Sequence, residues 1–373
     1  MEPNERRLVR ETVREFVTEE LRPAAREAEA SGEFPEAIWD GLAELDLTGL
    51  AVPEAYGGVG ADGLTDVVVN EELARGHLSV ATALSVHALA TSCIAEFGDE
   101  SLRERWLPEM AAGRPVGAFA LSEPHAGSNP AAMTTEARRD GEEYVVTGEK
   151  AWITNGARAG VVVLFAKTDR TEPGTVTQFL VPVDAEGLEV GPREEKLGLR
   201  ASDTTSLRFD GVRIPAENRL TPVGDGLKAA FSVLTGGRIA IAAQAVGLAR
   251  AALEDARTYA AEREQFGKPI ADHQAIAHKL AEMATNVRAA RLLTRDAARR
   301  NEDGADPAAA SMAKYFASET AVEVANEAVQ IHGGYGYTTD FDVERYYRDA
   351  KVTTIYEGTS EIQKEIIARH LRE

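Results

Sequence analysis

The stretch Val161-Val162-Val163-Leu164-Phe165 indicates a β segment in a chain whose other apolar residues mostly recur at helical spacing. A short run of β-branched and aromatic residues in a segment punctuated by turn residues is typical of a strand. The alternating stretch Glu143-Tyr144-Val145-Val146-Thr147 precedes it, and the dipeptides Asp140-Gly141 and Asp210-Gly211 are typical of turns between strands. We therefore predict a β domain of short strands over residues 116–224.

Helical periodicity lies on both sides of this segment. A stripe of apolar residues runs from Leu8 through Val13 and Val17 to Leu21, and it predicts an all-helical domain over residues 1–115. Long helical patterns return over residues 225–373, with short breaks such as Gly267-Lys268-Pro269 and Asp303-Gly304-Ala305-Asp306-Pro307. Four long helices with short connections are typical of a bundle. The predicted fold is mainly α with a central β domain.

The composition excludes several classes of function. The chain has 373 residues and a formal net charge of −20, which argues against nucleic acid and anionic membranes as partners. Its single cysteine, Cys93, excludes an internal disulfide, and the apolar neighbourhood predicts a buried thiol. We find neither a secretory h-region nor an apolar run of about eighteen residues. The expectation is a cytoplasmic protein that does not span a membrane.

A dinucleotide-binding interpretation fits poorly. Gly58-Val59-Gly60-Ala61-Asp62-Gly63 satisfies the glycine pattern of a nicotinamide-binding unit and precedes an apparent helix. However, Pro53 interrupts the apolar run before it, and no Asp or Glu occurs from Leu73 to Ala95, where the ribose-binding acid should lie. A glycine-rich turn is the better interpretation.

Metal and nucleophile chemistry are also poorly supported. His273 and His278 are five positions apart, so they do not share a helix face, and no metal site is expected. No G-x-S-x-G elbow surrounds Ser122 or Ser128, which excludes a catalytic triad built on that motif. Both serines are better interpreted as ligand contacts or turn residues.

One carboxylate near the C-terminus has the setting of a catalytic base. It lies in Ile355-Tyr356-Glu357-Gly358-Thr359-Ser360-Glu361-Ile362-Gln363. Thr359 or Ser360 is suited to cap a helix that starts at about Glu361, and the glycine lets the backbone pass close to a flat ligand. Taken alone, the segment fits a capped helix start with a solvated glutamate equally well.

Four further motifs favour the interpretation of Glu357 as a catalytic base. They are Phe119-Ala120-Leu121-Ser122-Glu123-Pro124-His125-Ala126-Gly127-Ser128, Lys150-Ala151-Trp152-Ile153-Thr154-Asn155-Gly156, Glu262-Arg263-Glu264-Gln265-Phe266-Gly267-Lys268 and Gln330-Ile331-His332-Gly333-Gly334-Tyr335-Gly336-Tyr337. In this order and spacing the chain resembles the acyl-CoA dehydrogenases over essentially its whole length. The resemblance implies an N-terminal helical domain, a middle β-barrel-like domain and a C-terminal four-helix bundle.

The reaction implied by the resemblance is oxidation of an acyl-CoA thioester to the trans-2-enoyl-CoA, with hydride transfer to N5 of FAD. Glu357 matches the family's base, and an apolar pocket would make its carboxylate more basic. Some relatives carry the base just before an arginine, but Gly236-Gly237-Arg238 has no carboxylate there. Ser128, Arg238 and Tyr356 are the implied substrate contacts. The alternative for Arg238 is a surface arginine at a helix start.

The implied FAD site draws on all five motifs. Trp152 matches the aromatic residue against the flavin ring, and Thr154 matches the hydroxyl near N5. The other implied cofactor contacts are Leu121, Ser122, Ser128, Arg263, Phe266, Gln330, Gly333, Gly334, Thr359 and Glu361. Arg263 and Phe266 resemble residues that reach the FAD of a neighbouring subunit. The resemblance therefore implies a homo-oligomer, a dimer of dimers, with an electron-transfer flavoprotein as electron acceptor.

Two alternatives and the substrate stay open at this point. An acyl-CoA oxidase or flavin monooxygenase on the same fold, or a non-catalytic acyl-CoA-binding relative, would share most of these residues. The run from Gly237 to Ala249 is similar to short-chain and short branched-chain acyl-CoA dehydrogenases, which favours butyryl-CoA or a short branched analogue. Glutaryl-CoA is disfavoured, because relatives that accept it use an arginine, and none occurs from His77 to Leu89.

Overall fold

The computed structural model describes residues 3–168, 175–302 and 304–372. In these residues an N-terminal group of helices leads into a curled sheet, and a second group of helices follows. This is the predicted order, and the mainly α fold with a central β domain is confirmed.

The N-terminal helices are α1 (Pro3–Phe16), α2 (Arg22–Ser31), α3 (Glu36–Glu44), α4 (Gly63–Gly76), α5 (Leu78–Phe97) and α6 (Glu100–Ala111), and a π-helical turn (Val17–Leu21) joins the first two. The predicted stripe is buried from Val13 onward, whereas Leu8 is 63% exposed. Asp62 caps α4 by accepting a hydrogen bond from the Thr65 N–H. No strand precedes this cap in the described residues, so the dinucleotide-binding interpretation is excluded.

The sheet has seven strands in the described residues, namely β1 (Gly117–Ala120), β2 (Glu136–Asp140), β3 (Glu143–Thr154), β4 (Val161–Lys167), β5 (Val176–Pro182), β6 (Leu188–Val190) and β7 (Thr204–Pro215). Their order is β1-β4-β2-β3-β7-β6, with β5 paired to the other side of β4. The run Val161–Phe165 lies in β4, the predicted strand, and the structure buries it on both faces. Asp140-Gly141 opens the turn between β2 and β3.

The prediction of a turn at Asp210-Gly211 is wrong. Val146 pairs with Val212 and Thr147 pairs with Asp210, so Gly211 is an extra residue inside β7, with φ at 70°. A β-bulge and a tight turn both accept an Asp-Gly pair, since both need a positive φ. The long pairing of β7 with β3 selects the bulge, and this pairing is not visible locally.

The C-terminal helices are α7 (Gly226–Glu262), α8 (Gln274–Glu302), α9 (Pro307–His332), α10 (Val343–Thr353) and α11 (Ser360–His370), with a small hairpin of β8 (Glu264–Gln265) and β9 (Lys268–Pro269) after α7. Three helices are long, and two short helices stand where one more long helix was predicted. The loop that separates the two short helices carries Glu357. Asp303, in the predicted connection after α8, lies outside the described residues.

The helices of the two ends share one hydrophobic core. Buried side chains of α1, α4, α7 and α9 belong to a single cluster, while α5 and α6 cover one face of the sheet. By length and composition α5 and α7 would suffice to cross a membrane, but 83% and 78% of their most apolar windows are buried inside the protein. Core helices of soluble proteins pass the same test. Cys93 is buried, as predicted.

Candidate active site

Glu357 lies in a left-handed turn between α10 and α11. Its φ is 53°, and that of Gly358 is 89°. Thr359 ends the turn and caps α11 by accepting a hydrogen bond from the Ile362 N–H at 3.3 Å. Left-handed backbone is unfavourable for a residue with a side chain. The turn therefore needs support from its surroundings, and it directs the glutamate side chain toward α7.

The glutamate side chain points at Gly237 of α7. A Cβ atom added at Gly237 would lie 3.0 Å from Glu357 Oε2 and 3.3 Å from Leu89 Cδ2, which is closer than an ordinary contact. Because Gly237 has no side chain, the carboxylate and Leu89 of α5 approach this point of α7 from two sides. A side chain at this position would displace the carboxylate, so the glycine is part of the setting of Glu357.

The carboxylate of Glu357 has the electrostatics of a base. Its Oε2 atom is buried and has no hydrogen-bond partner among the described residues. Burial raises the pKa of Glu357 to about 7, against the opposing effect of Arg238 and Lys314. A base whose pKa is near neutrality is suited to proton abstraction at physiological pH.

Arg238 is buried next to this carboxylate. The residue is only 7% exposed, and its Nε atom has no partner in the described part of the chain. Burial lowers the pKa of the guanidinium, while the charge of Glu357 raises it. The alternative of a surface arginine is therefore wrong.

Glu357 and Arg238 form the first group of predicted site residues. A second group of predicted residues lies at a bulge in β3. Lys150 pairs with Leu207 and Ile153 with Thr205, so Ala151 and Trp152 together oppose one residue of β7. Bulges commonly re-aim a side chain, and here Trp152 has φ at 63° and is 63% exposed. The Ala151 N–H donates to the Ser122 carbonyl at 3.0 Å, which joins the bulge to the loop after β1.

A buried ion pair supports this loop. The Lys150 ammonium donates to Glu123 Oε1 at 3.0 Å and to the Leu121 carbonyl at 3.1 Å. Burial lowers the pKa of Lys150 to about 8. Burial raises the pKa of Glu123, but Lys150 and hydrogen bonds from Thr134 and Thr135 together lower it to about 2. Sequence reasoning gave this pair no role, although both residues stand inside quoted motifs.

A third group surrounds a groove of about 640 Å³, whose lining includes Arg263, Phe266, Gly333, Gly334 and Tyr335. Phe266 is 94% exposed at the tip of the β8–β9 hairpin, and the Arg263 guanidinium lies 5.7 Å from the ring centre of Tyr335. Added Cβ atoms at Gly333 or Gly334 would meet nothing within 4 Å. The groove is therefore open to a ligand.

This third group is far from Glu357. Arg263 caps the C-terminal end of α7, 25 residues after the Arg238 that lies beside Glu357, a rise of about 38 Å at 1.5 Å per residue. The Glu357 turn and the groove beside Arg263 are therefore separate places on the chain.

The remaining predicted residues lie close to one of the three groups. Ser128 is exposed on the loop after β1, and Thr154 ends β3 two residues after Trp152. The Tyr356 hydroxyl lies 3.4 Å from Thr82 Oγ1 of α5. Glu361 is exposed in the first turn of α11, and Gln330 is exposed just before the third group but does not line its groove.

These features fit a flavin better than a metal. An exposed tryptophan on a bulge offers a flat apolar face, and open glycines admit a bulky ligand close to the backbone. Gly127 also has open space at its Cβ position. Among the described residues no group of three His, Cys, Asp or Glu side chains is placed to hold a metal ion.

Comparison with known proteins identifies the family. Residues 3–114, 118–212 and 224–372 match the N-terminal, middle and C-terminal domains of acyl-CoA dehydrogenases. The chain belongs to the acyl-CoA dehydrogenase family. It is thus an oxidoreductase of a family of FAD-dependent flavoproteins.

Similar proteins cover nearly the whole chain. The mitochondrial short-chain specific acyl-CoA dehydrogenase of Bos taurus is 44% identical over 99% of this chain and 90% of its own. The butyryl-CoA dehydrogenase of Megasphaera elsdenii is 38% identical, with a TM-score of 0.96 over 99% of this chain and 98% of its own. A chain from a structure of the electron transferring flavoprotein of Acidaminococcus fermentans is also 38% identical, with a TM-score of 0.97 over 100% and 98% of the two chains.

Sequence reasoning missed two residues that hold the Glu357 turn. The buried Lys314 of α9 donates to the Gly358 carbonyl at 2.8 Å. Gln363 Nε2 donates to the carbonyls of Glu357 at 3.1 Å and Gly358 at 2.9 Å. A signal for Lys314 exists in the sequence, since it stands in line with the buried Ala310 and Ser318 on an apolar face.

Proposed function

We propose that the protein oxidises short-chain acyl-CoA thioesters to the trans-2-enoyl-CoA, with Glu357 as the base. The buried Oε2 atom without a partner is the observation that supports this role best. In the proposed reaction Glu357 takes the α-proton of the substrate while the C–H bond at the β-carbon breaks. FAD, when bound, supplies the acceptor for the hydride and its electron pair.

The chain also offers a donor for the developing enolate. The backbone N–H of Glu357 has no acceptor among the described residues, although its carbonyl is held by Gln363. An amide N–H that is already fixed in place stabilises an enolate oxygen without reorganisation. Arg238 adds a buried positive charge beside the base. The carboxylate must be ionised to accept the proton, so kcat/KM should rise as the pH passes through about 7.

A hydrogen bond between α5 and α7 supports a short acyl chain. Thr82 Oγ1 donates to Gln244 Oε1 at 3.2 Å, and the two residues lie seven positions along their helices from Leu89 and Gly237. Seven residues correspond to about 10 Å of helix. Gln244 Nε2 donates in turn to Asn70 Oδ1 at 2.9 Å, so the two helices are tied together at this distance from Glu357. Butyryl-CoA or a short branched analogue is the proposed substrate.

Glutaryl-CoA is a poor candidate for the same site. Its distal carboxylate would lie along α5, where residues 77–89 contain no arginine. Burying a carboxylate without a partner costs several kcal/mol. We therefore expect kcat/KM to be highest for butyryl-CoA or a short branched analogue and much lower for glutaryl-CoA.

The third group of residues supports an oligomeric enzyme. Arg263 lies about 38 Å along α7 from the Arg238 beside Glu357, so we assign Arg263 and the nearby Phe266 to the FAD of a neighbouring subunit. The proposed assembly is a dimer of dimers, and the proposed electron acceptor is an electron-transfer flavoprotein. A cytoplasmic location stays a prediction.

One experiment separates this function from its alternatives. Butyryl-CoA is added anaerobically to the purified yellow protein, and the flavin absorbance is followed before and after air is admitted. Bleaching that persists in air supports a dehydrogenase, rapid reoxidation indicates an oxidase or monooxygenase, and no bleaching with acyl chains of four to sixteen carbons indicates a binding protein.

The role of Glu357 has its own test. Glu357→Gln should retain FAD and bind acyl-CoA, because the amide is nearly isosteric, but turnover should fall roughly 100-fold or more through loss of the base. A near-normal rate with an artificial electron acceptor would show that another group takes the proton.

A further inference from the structure

Residues of α9 hold the turn that carries Glu357 in place. This helix precedes α10 in the chain, whereas the turn itself lies between α10 and α11. Two successive left-handed residues, Glu357 and Gly358, turn the chain between α10 and α11. Such a turn persists only when surrounding contacts impose it. Ser318 Oγ donates to the Thr353 carbonyl at 2.8 Å before the turn, and Ser360 Oγ donates to Glu319 Oε1 at 2.6 Å after it.

Lys314 contacts the centre of the turn. Its side chain is fully buried, and the Nζ atom donates to the Gly358 carbonyl at 2.8 Å. Among the described residues no carboxylate lies within 4.0 Å of this ammonium. A buried ammonium without a paired carboxylate is costly, and such groups are concentrated at functional sites.

The charged groups around the Glu357 turn belong to the turn itself, α7, α9 and α11. Glu357 faces Arg238 of α7 and Lys314 of α9. The ammonium of Lys314 interacts electrostatically with the carboxylates of Glu357, of Glu319 in its own helix and of Glu361 in α11. Burial lowers the pKa of Lys314 to about 8, against the effect of these carboxylates. Both cations favour the ionised form of Glu357, which is the form that accepts a proton.

We propose that Lys314 is a positioning residue for the dehydrogenation: its ammonium holds the Gly358 carbonyl, which keeps the Glu357 side chain directed at Gly237 of α7, and its positive charge stabilises the ionised base. The proposal rests on Glu357 being the base of the proposed function. Arg238 supplies charge alone, since it makes no hydrogen bond to the turn, whereas Lys314 combines charge and geometry in one group.

Two substitutions separate charge from geometry. Lys314→Gln removes the charge but keeps an N–H donor, and Lys314→Met removes both with little change in length. Lys351→Met is the matched control, because Lys351 is exposed in the last turn of α10. The measurement is the rate constant of anaerobic flavin reduction by butyryl-CoA from pH 5.5 to 9, together with FAD content, thermal stability and the Kd of the ligand.

In both Lys314 variants the acid limb of the rate profile should move up by about one pH unit, because the ionised base loses a nearby cation. At pH 9, where Glu357 is ionised in every variant, Lys314→Gln should be within about threefold of the original protein. Lys314→Met should stay about 10-fold slower there, because a displaced base loses its alignment. The Kd and the Lys351→Met profile should change little.

Three results would overturn the proposal. The first is an acid limb and a rate in Lys314→Met that match those of the unchanged protein. The second is loss of folding or of FAD in both Lys314 variants, which would make Lys314 a structural residue. The third is a Kd that rises in parallel with the loss of rate. Failure of the proposed function looks different, since the unchanged protein would then not be bleached by acyl-CoA, or Glu357→Gln would still be reduced normally.

Discussion

Replacing Glu357 by glutamine should stabilise the protein at alkaline pH while turnover falls roughly 100-fold or more. Burial raises the pKa of this carboxyl to about 7 from its ordinary value of 4.5. A folded-state pKa above the unfolded value means that the stability contribution is complete below pH 4.5 and is lost as the pH rises through 7. The difference in pKa corresponds to about 3 kcal/mol at 1.36 kcal/mol per unit.

Glutamine is uncharged at every pH, like the protonated carboxyl. The variant therefore does not lose this contribution to the free energy of unfolding as the pH rises. We expect the free energy of unfolding of Glu357→Gln, relative to the original protein, to be about 3 kcal/mol more favourable at pH 8.5 than at pH 4.5. The measurement is urea unfolding of the FAD-loaded proteins at the two pH values. Comparing the differences at two pH values cancels effects of the amide itself that do not depend on pH.

The matched control is Glu365→Gln, which removes an exposed carboxylate of α11. Its stability relative to the original protein should be nearly the same at both pH values. The reasoning is refuted if the Glu357→Gln difference is also constant with pH, or if the variant is less stable at pH 8.5 than at pH 4.5 relative to the original protein. Either result would mean that burial does not penalise the ionised carboxylate.

Three more substitutions test the other parts of the site. Arg263→Ala should lower FAD retention and oligomer stability together, because alanine cannot replace a charge-assisted contact across an interface; flavin content after dilution and gel filtration measures both, and unchanged values contradict the assignment. Gln244→Ala should remove the hydrogen bond between α5 and α7 and raise the kcat/KM of octanoyl-CoA relative to butyryl-CoA about 10-fold, which corresponds to burial of about one of the four extra methylenes at about 1 kcal/mol or more; an unchanged ratio would place the end of the pocket elsewhere. Lys150→Met should destabilise the protein by about 3–5 kcal/mol in urea unfolding, because Glu123 is left buried without its cation, and adding Glu123→Gln should recover part of the loss.

The predicted substrate range can be measured directly with acyl-CoA chains of four to sixteen carbons. We expect kcat/KM to peak at four carbons or at a short branched analogue. A maximum at twelve carbons or longer would contradict the short-chain proposal and leave the family assignment intact.

The order of helical and β segments follows from local sequence patterns. Helical and strand periods depend on residues only a few positions apart, so the run Val161–Phe165 and the apolar stripes of the long helices are visible without any tertiary contact. The cap at Thr359 is equally local, because a hydroxyl three residues before an N–H is all that it needs. The five motifs also pointed to the family, which the comparisons confirmed.

Which of these residues are buried together depends on contacts between segments that are distant in the chain. Asp210-Gly211 suits a turn or a bulge, and the pairing with β3 chose the bulge. Arg238 and Lys314 look like ordinary charged helix residues, yet α7 and α9 bring both cations into the interior beside Glu357. The local sequence specifies backbone conformation, whereas the charge and basicity of a site depend on burial by segments far apart in the chain, and only folding brings those segments together.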